Sequence, residues 1–314
     1  MNIKTFRRKD MNNSSKAKHS MGKRTQRIKT FLCFFLIAVM LLPLIPEGTL
    51  YVDALNNTFG PVTSATSSVN GSYITGKPGV YIVGDGYVIT WVTSFKGIGW
   101  LTYTKNGQEV TVYDERNGIL RSFDNIHTVK VPEEDYQYLC NGYTVHSKEV
   151  TSHDYAATAY GVECSYTTKL KDTKPGVNED VDLLTLTDVH GTAARANNAF
   201  GNYKNYFSDI SYDPNIVVFS GDVVSYLDET TLKQMFEMMG NSTYGQYPIV
   251  YCRGNHETRG VYATKILEYF PTKTGELYFD FTFGSLWGVV LDTGEDKPAT
   301  HEAYGHLANF EVYL

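Results

Sequence analysis

Cysteine is scarce in this chain of 314 residues, which has only four. Cys33 lies in the N-terminal apolar run, so Cys140, Cys164 and Cys252 remain for the rest of the chain. An odd number excludes complete disulfide pairing within one chain. A disulfide between Cys140 and Cys164 and a pair of buried thiols both agree with the sequence. Cys252 is expected in the core.

Basic charge is also scarce beyond residue 54. The chain has 28 basic and 34 acidic residues, and ten of the basic but only three of the acidic ones lie in residues 1–54. The 18 basic and 31 acidic residues that remain give residues 55–314 a net charge near −13. An acidic surface does not attract polyanions over long range, so no nucleic-acid specificity is evident.

A long apolar run is missing as well. Residues 31–46 are apolar throughout, but crossing a bilayer needs about 20 such residues, and Pro43 and Pro46 shorten the usable helix. With basic residues before the run and small residues near Ala54, the pattern predicts a signal peptide over residues 1–54. The protein is then secreted or extracytoplasmic, without stable membrane insertion. The alternative is an uncleaved anchor that keeps it at the cell surface.

Short strands separated by turns dominate the next part of the chain. Residues 55–78 are rich in Ser, Thr, Asn and Gly, which predicts a linker. Residues 79–172 contain alternating strands and an Asn106-Gly107 hairpin signal, and several short strands at this spacing predict a β-sandwich. Residues 173–180 concentrate charge, Pro175 and Gly176, which predicts a second linker.

Three polar motifs follow apolar segments in the last part of the chain. They are Asp188-Val189-His190 after residues 183–187, Gly221-Asp222 after residues 216–220, and Gly254-Asn255-His256-Glu257 after residues 249–252. The motifs are separated by about the length of one βαβ unit. Parallel strands would therefore bring them together at the carboxyl end of one sheet. Oxygen donors mixed with imidazole suit divalent ions better than a thiolate site.

Helices and a hairpin are predicted around these motifs. A helix over residues 192–208, broken near Gly201, begins with Thr192. Residues 229–239 predict a second helix with Met235 and Phe236 facing the core, and residues 262–270 a third. Residues 278–283 and 286–291 predict a hairpin, and residues 291–297 leave the sheet as a loop.

The motif order D-x-H, G-D and G-N-H-E resembles the calcineurin-like metallophosphoesterase family over residues 181–314. The resemblance implies an α/β domain with an αββα sandwich core and two divalent metal ions. It implies that Asp188 and His190 bind the first ion, that Asp222 bridges both and that Asn255 binds the second. His256 would approach the phosphate as the catalytic residue without binding metal.

Two neighbours of His256 have less definite roles. Glu257 is expected to orient a metal ligand. Arg259, like Arg253, is expected either to contact the phosphate of the substrate or to form an ion pair.

The front half, with Trp91 on an early strand, is similar to the fibronectin type III-like domain of purple acid phosphatases. The expected fold class is therefore α+β, an N-terminal β-sandwich over residues 79–172 followed by the phosphoesterase domain. Two positions depart from purple acid phosphatases. Ser225 stands where they have a metal-binding Tyr, and His190 where they have Gly. Both departures favour colourless ions such as Mn, Zn or Fe(II).

The family completes its two-metal site with later histidines in a G-H pair and a G-H-x-H run. The nearest match in this chain is Gly305-His306, which lacks the second histidine of the G-H-x-H run. Neither His306 nor His301 is expected to bind metal. The second ion would keep only Asp222 and Asn255, and the sandwich core is expected to be incomplete.

The expected activity is hydrolysis of phosphate mono- or diesters by metal-activated hydroxide. The alternative is an incomplete fragment or a non-catalytic surface binding protein. The oligomeric state is left open.

Overall fold

The computed structural model describes residues 73–192, 196, 213–298 and 300–304. The predicted signal peptide, most of the first predicted linker, nearly all of the predicted helix over residues 192–208 and His306 lie outside the described residues. The described residues all belong to one compact unit. In the part of the chain that is described, no helix is long and apolar enough to cross a membrane.

Strands make up most of the described secondary structure. In chain order they are β1 (Gly79–Ile82), β2 (Gly86–Lys105), β3 (Gln108–Tyr113), β4 (Glu115–Arg116), β5 (Ile119–Leu120), β6 (Asp124–Pro132), β7 (Tyr143–His153), β8 (Ala157–Thr168), β9 (Leu183–Leu186), β10 (Ile216–Ser220), β11 (Pro248–Cys252), β12 (Phe279–Phe283) and β13 (Leu286–Val290). The α-helices are α1 (Tyr136–Asn141), α2 (Glu229–Ser242) and α3 (Ile266–Tyr269), and 3₁₀ turns cover Glu133–Asp135, His256–Thr258 and Ala263–Lys265.

One nine-stranded sheet organises the molecule. Its main path runs β8-β7-β2-β1-β11-β10-β9, and β3 and β6 also pair with β2. Strands β1, β11, β10 and β9 are parallel to one another. Their apolar residues, such as Val217, Phe219 and Ile249, are fully buried. The predicted parallel strands before the three motifs are thus present, side by side and in the order that brings their carboxyl ends to one edge.

Strand β2 carries the sheet from its parallel part into its antiparallel part. Its first half, from Gly86 to Val92, pairs with β1 on one side and β6 on the other. An irregularity follows between Val92 and Gly97, and the second half then pairs with β7 and β3. The predicted hairpin at Asn106-Gly107 joins β2 to β3, and both turn residues have positive φ, as a tight hairpin of this kind requires.

The predicted N-terminal β-sandwich is not shown as a unit separate from the strands before the three motifs. Strand β1 lies between β2 and β11, hydrogen-bonded to both, so the front strands continue directly into the strands that precede the three motifs. All four residues of β1 are buried, which is expected for a strand inside a sheet. The sequence pattern shows which residues form a strand but not which strand lies beside them. The pairing of β1 with β11 could therefore not be predicted from the sequence.

The predicted linker over residues 173–180 is also packed against the rest of the molecule. Thr173 is buried and its hydroxyl donates to the carbonyl of Asn215 over 2.9 Å. The carbonyl of Pro175 accepts from the backbone N–H of Ser285 over 2.9 Å. Because Thr173 and Pro175 are hydrogen-bonded to other elements, the first part of this stretch is held against the rest of the unit.

The predicted helix over residues 229–239 is present and slightly longer, as α2. Asp228 caps it by accepting from the Thr231 N–H over 2.7 Å, and Met235 and Phe236 are buried as expected. The predicted hairpin is β12–β13. The helix predicted over residues 262–270 is instead a 3₁₀ turn followed by the single turn α3, which ends before Pro271.

Cys140, Cys164 and Cys252 are free thiols, so of the two alternatives the structure shows the thiols and no Cys140–Cys164 disulfide. All three are half-buried. Burial raises the pKa of each to about 11. A thiol with a raised pKa carries little thiolate at neutral pH, so these side chains behave as unreactive packing groups.

Candidate metal centre

The three motifs meet at one edge of the sheet because β9, β10 and β11 end side by side. Backbone hydrogen bonds continue the β9–β10 contact into the loops. The N–H of Asp188 donates to the Gly221 carbonyl over 3.2 Å, that of His190 to the Asp222 carbonyl over 2.9 Å, and that of Gly191 to the Val223 carbonyl over 2.7 Å. The first two motifs are therefore held in a fixed mutual position by the main chain.

Three residues of these motifs have left-handed backbone conformations. The φ angles are 55° at Asp188, 51° at His190 and 53° at Asp222. For a residue with a Cβ this conformation costs about 1–2 kcal/mol. Such residues cluster at functional sites, where the surrounding structure holds a conformation that the residue alone would avoid. Here it turns three metal-binding residue types toward the same side of the sheet edge.

Histidine and carboxylate side chains converge above these loops. One ligand atom each from His190, Asp222 and His256 lies within 4.8 Å of the others. Nε2 of His190 is 3.7 Å from Oδ1 of Asp188, and Nε2 of His256 is 3.9 Å from Oδ2 of Asp222. The two imidazole rings meet edge to face, with centroids 4.6 Å apart.

These distances fit a shared cation better than direct hydrogen bonds. Bonds of about 2.0–2.2 Å from a metal ion to nitrogen and oxygen place neighbouring ligand atoms about 3–4 Å apart. Asp222 and His256 are partly covered, with side chains 16% and 27% exposed, whereas the Asp188 side chain is 65% exposed. The donors therefore line a site that is open to solvent on the Asp188 side, and their chemistry fits a divalent ion.

Glu257 ties the second motif to the third. It is completely buried. Its carboxylate accepts backbone N–H groups from Asp222 over 3.1 Å, from Val224 over 2.9 Å and from Gly254 over 2.9 Å. Burial raises the pKa of Glu257, while these N–H bonds act in the opposite direction. Glu257 thus fixes the backbone that carries Asp222, and its role in orienting a metal ligand stays a prediction.

Two glycines allow the second and third loops to approach each other. Gly221 has a φ of 95°, and a Cβ there would lie 2.9 Å from the Cα of Gly254. A Cβ on Gly254 would collide with the backbone nitrogen and Oδ1 of Asp222. Without side chains at these positions, both loops come close enough to share the Glu257 carboxylate.

His256 is held by contacts on both sides of its ring. Its backbone N–H donates to Oδ1 of Asp222 over 3.2 Å. Its Nδ1 lies 2.8 Å from the carbonyl oxygen of Ser225, which places a proton on Nδ1 and directs Nε2 toward the site. Nη1 of Arg259 lies 3.1 Å from Nε2.

Asn255 is oriented by carboxylates from the loop after β13. Its Nδ2 donates to Oδ1 of Asp296 over 2.8 Å and to Oε1 of Glu295 over 3.3 Å. Its Oδ1 is then the atom left for a cation. In the sequence, residues 291–297 were only a loop that leaves the sheet. Nothing in the residue pattern placed Glu295 and Asp296 beside a motif about 40 positions earlier.

Arg253 and Arg259 both form ion pairs. Arg253 donates to both oxygens of Asp292 over 3.2 and 2.6 Å. Arg259 donates to both oxygens of Glu295 over 2.7 and 3.0 Å, and its guanidinium lies 4.0 Å from the Tyr304 ring centroid. Of the two alternatives for Arg253 and Arg259, this geometry favours ion pairs over contacts to phosphate.

His301 lies in a turn close to the end of the described residues. Its Nδ1 accepts the backbone N–H groups of Ala303 and Tyr304, each over 3.2 Å. Its ring stacks on that of Tyr304. These contacts give His301 a local structural role. Of the residues expected to bind a second ion, the described part of the chain provides Asp222 and Asn255.

The family model described as Calcineurin-like phosphoesterase matches residues 182–311. This matched stretch begins just before β9 and contains all three motifs.

Among solved structures, the chain is similar to a purple acid phosphatase from yellow lupin (Lupinus luteus) seeds, with 14% identity and a TM-score of 0.44. That match covers 76% of this chain and 48% of the lupin chain. A second similar structure is a cold-active protein-tyrosine phosphatase from Shewanella, with 13% identity and a TM-score of 0.20, covering 64% of this chain and 52% of the other. The chain thus spans about half the length of either protein. No curated protein sequence matches it.

Proposed function

We propose that this protein is a metal-dependent phosphoesterase that hydrolyses phosphate mono- or diesters. The observation that carries the proposal is the convergence of His190, Asp222 and His256, with ligand atoms within 4.8 Å of one another, in a domain that matches the phosphoesterase family. Asp188 completes the group from the solvent side, 3.7 Å from His190.

The residues of this edge divide into those that hold ions and those that face the substrate. Asp188, His190 and Asp222 would hold the first of two divalent ions, and Asp222 and Asn255 the second, with Mn, Zn or Fe as the ions. When bound, such ions polarise a phosphoryl group and lower the pKa of a water molecule. The amide of Asn255 provides an oxygen ligand without adding negative charge, which keeps the site accessible to an anionic ester.

His256 is the residue we propose to act on the substrate. The Ser225 carbonyl fixes its Nδ1–H, so Nε2 is the nitrogen that can hold or transfer a proton at the phosphoryl or leaving oxygen. Proton transfer by a positioned side chain contributes typically about 10²–10⁴-fold in rate. Nε2 is also close enough to Asp222 to bind an ion. If His256 acts on the substrate, removing its ring abolishes turnover but not metal binding. If it is a metal ligand, removing the ring weakens metal binding as well.

Two variants and one control test the proposal. Mn²⁺ binding and hydrolysis of p-nitrophenyl phosphate and bis(p-nitrophenyl) phosphate would be measured for the unchanged chain, Asp222→Asn, His256→Ala and the control His153→Ala, an exposed histidine remote from the motifs. We expect Asp222→Asn to lose both metal binding and turnover. His256→Ala should lose turnover but retain metal. Full activity in either variant would overturn the mechanism.

A second candidate function is binding without turnover, either by an incomplete domain or by a non-catalytic surface protein. It is favoured by one observation, namely that the described residues supply the second ion with only Asp222 and Asn255 of the expected ligands. The same titration separates the two functions. Metal bound at one equivalent without hydrolysis of either ester supports the binding protein, and two equivalents with turnover support the enzyme.

Export is part of the proposal. The basic residues and the apolar run within residues 1–54 support a cleaved signal peptide, with retention of that segment at the cell surface as the alternative. The intact mass of the protein recovered outside the cytoplasm tests this. A mass lacking about 54 residues supports cleavage at the predicted site, and an unshortened N-terminus found only with the membrane supports the anchor.

A further inference from the structure

Glu295 lies outside the three motifs, yet it touches the side chains of Asn255 in the third motif and of Arg259 two residues after it. It is 2% exposed. Its carboxylate accepts two hydrogen bonds from Arg259 and one from Nδ2 of Asn255. Two further bonds come from the backbone N–H groups of Asp296 and Lys297, over 3.0 and 3.3 Å, which close the loop around the carboxylate.

The contact with Asn255 selects one of the two orientations of its amide. A carboxylate accepts hydrogen bonds and cannot donate them, so it binds the NH₂ end of the amide and never the oxygen end. Glu295 and Asp296 both contact Nδ2. The amide oxygen is therefore fixed on the side away from these two carboxylates. A rotation of the amide by 180° would place an oxygen against two negative charges.

Through Arg259, Glu295 also influences the position of the His256 ring. The backbone carbonyl of Arg259 accepts from the Leu227 N–H over 2.8 Å, which anchors this residue to the loop after the second motif. Glu295 holds one edge of the guanidinium and Tyr304 lies against its face. The remaining nitrogen, Nη1, lies against the His256 ring, 3.1 Å from Nε2 and 3.3 Å from Nδ1.

A second ion pair on the same loop provides a comparison. Asp292 accepts two hydrogen bonds from Arg253, and the two side chains are 5% and 15% exposed, close to the 0% and 10% of Glu295 and Arg259. The carboxylate of Asp292 also accepts from the Gly294 N–H over 3.1 Å. Among the described contacts of this second pair, none reaches the side chain of Asn255 or His256.

From these contacts we infer that Glu295 is a positioning residue of the metal centre, which orients the Asn255 amide directly and the His256 ring through Arg259. The inference rests on the proposed function, because the oriented amide matters only if Asn255 binds an ion. It adds to the three sequence motifs a residue from the loop after β13. Asp292→Ala is a matched control for Glu295→Ala, because each variant removes a buried carboxylate that pairs with an arginine, and only Glu295 contacts Asn255.

The first measurement is a Mn²⁺ titration of the full chain and of the variants Glu295→Ala, Asn255→Ala, the double variant and Asp292→Ala. Removing a group that orients a metal ligand typically weakens metal affinity about 10–100-fold. We expect such a loss in Glu295→Ala and in Asn255→Ala, and no further loss in the double variant, because Glu295 acts through Asn255. Asp292→Ala should bind Mn²⁺ as tightly as the unchanged chain. Unchanged affinity in Glu295→Ala, or additive losses in the double variant, would overturn the inference.

The second measurement needs no metal and so separates this inference from the proposed function. The side-chain amide signal of Asn255 is identified in the ¹H–¹⁵N spectrum by its loss in Asn255→Ala. We expect Glu295→Ala to shift that signal and Asp292→Ala to leave it in place. If the unchanged chain binds no Mn²⁺ but the shift is found, the proposed function fails while the positioning contact stands. A signal that does not move refutes the contact itself. Should Glu295→Ala not fold, Glu295→Gln, which keeps the side-chain volume but not the charge, replaces it in both measurements.

Discussion

Histidine and aspartate pair in two regions of this molecule with opposite consequences. In the antiparallel part, His127 and Asp114 are both fully buried, with Nδ1 and Oδ2 3.2 Å apart, and Arg121 lies 3.2 Å from the other carboxylate oxygen. At the carboxyl edge of the parallel strands, the corresponding distances are 3.7 Å for His190 and Asp188 and 3.9 Å for His256 and Asp222.

The difference lies in how far each pair is satisfied by its own neighbours. His127 is enclosed by Asp114, by the Thr93 hydroxyl 3.4 Å from Nε2, and by the Trp91 ring at a centroid distance of 5.4 Å. Such a group is closed to a ligand. The pairs at the sheet edge are too far apart for hydrogen bonds and are partly exposed, so a ligand can reach them. Residue type alone therefore does not separate a structural pair from a metal-binding one.

The largest expected effect comes from Asp222→Asn, which removes the charge shared by the proposed ions. A metal ion contributes several kcal/mol to stabilising a phosphoryl transition state, and each 1.36 kcal/mol is about tenfold in rate. We expect turnover to fall by about a thousandfold or more while the urea unfolding midpoint changes little. Steady-state hydrolysis and urea titration check this. If Asp222→Asn lost stability together with activity, the site pair would not differ from the buried His127–Asp114 pair in its contribution to folding.

Asp114→Ala tests the other side of the comparison. It leaves His127 buried without its carboxylate and Arg121 without an ion pair. Breaking a buried pair by removing one partner costs about 3–5 kcal/mol, and we expect about 3 because the Arg121 side chain is still 16% exposed. Urea unfolding measures the loss. The Mn²⁺ affinity of the folded fraction should be unchanged, and a parallel loss of affinity would contradict the separation of the two regions.

Glu257→Ala should affect both stability and the metal centre. It leaves the backbone N–H groups of Asp222, Val224 and Gly254 without their shared acceptor. A buried donor left unsatisfied costs about 1–3 kcal/mol, and water entering the space of the lost side chain would limit the total, so we expect about 2 kcal/mol. Because the Asp222 backbone is then less constrained, Mn²⁺ affinity should fall about tenfold. Retained affinity would show that the loop keeps its shape without this carboxylate.

The smallest effect concerns acid stability and Glu295. Burial alone would raise the pKa of Glu295, but hydrogen bonds from Arg259, Asp296 and Asn255 lower it to about 2, below its ordinary value of 4.5. A carboxyl group with a lowered folded-state pKa contributes stability above its ordinary pKa and loses that contribution as the pH falls toward the folded value. We therefore expect the stability gap between the unchanged chain and Glu295→Gln to shrink from pH 5 to pH 2. Urea midpoints across that range measure it, and a constant gap would contradict the assigned ionisation.

The sequence by itself determined a substantial part of this structure. Apolar runs ending in polar motifs identified β9, β10 and β11 and the edge where Asp188, Asp222 and His256 meet, because parallel strands bring their carboxyl ends together. Local signals were equally reliable at the Asn106-Gly107 hairpin and for the helix α2, where the backbone conformation depends on a few neighbouring residues.

Only the tertiary structure decided the rest. It inserted β1 between β2 and β11 and so joined the front strands to the strands before the three motifs, because strand pairing depends on partners far away in the chain. It buried His127 beside Asp114 and left His190 and His256 partly exposed at the sheet edge. The sequence cannot predict this difference, because the three side chains are chemically identical. The tertiary structure also brought Glu295 to Asn255. Contacts between residues this far apart arise from the packing of loops at the sheet edge, and no local pattern in the sequence records them.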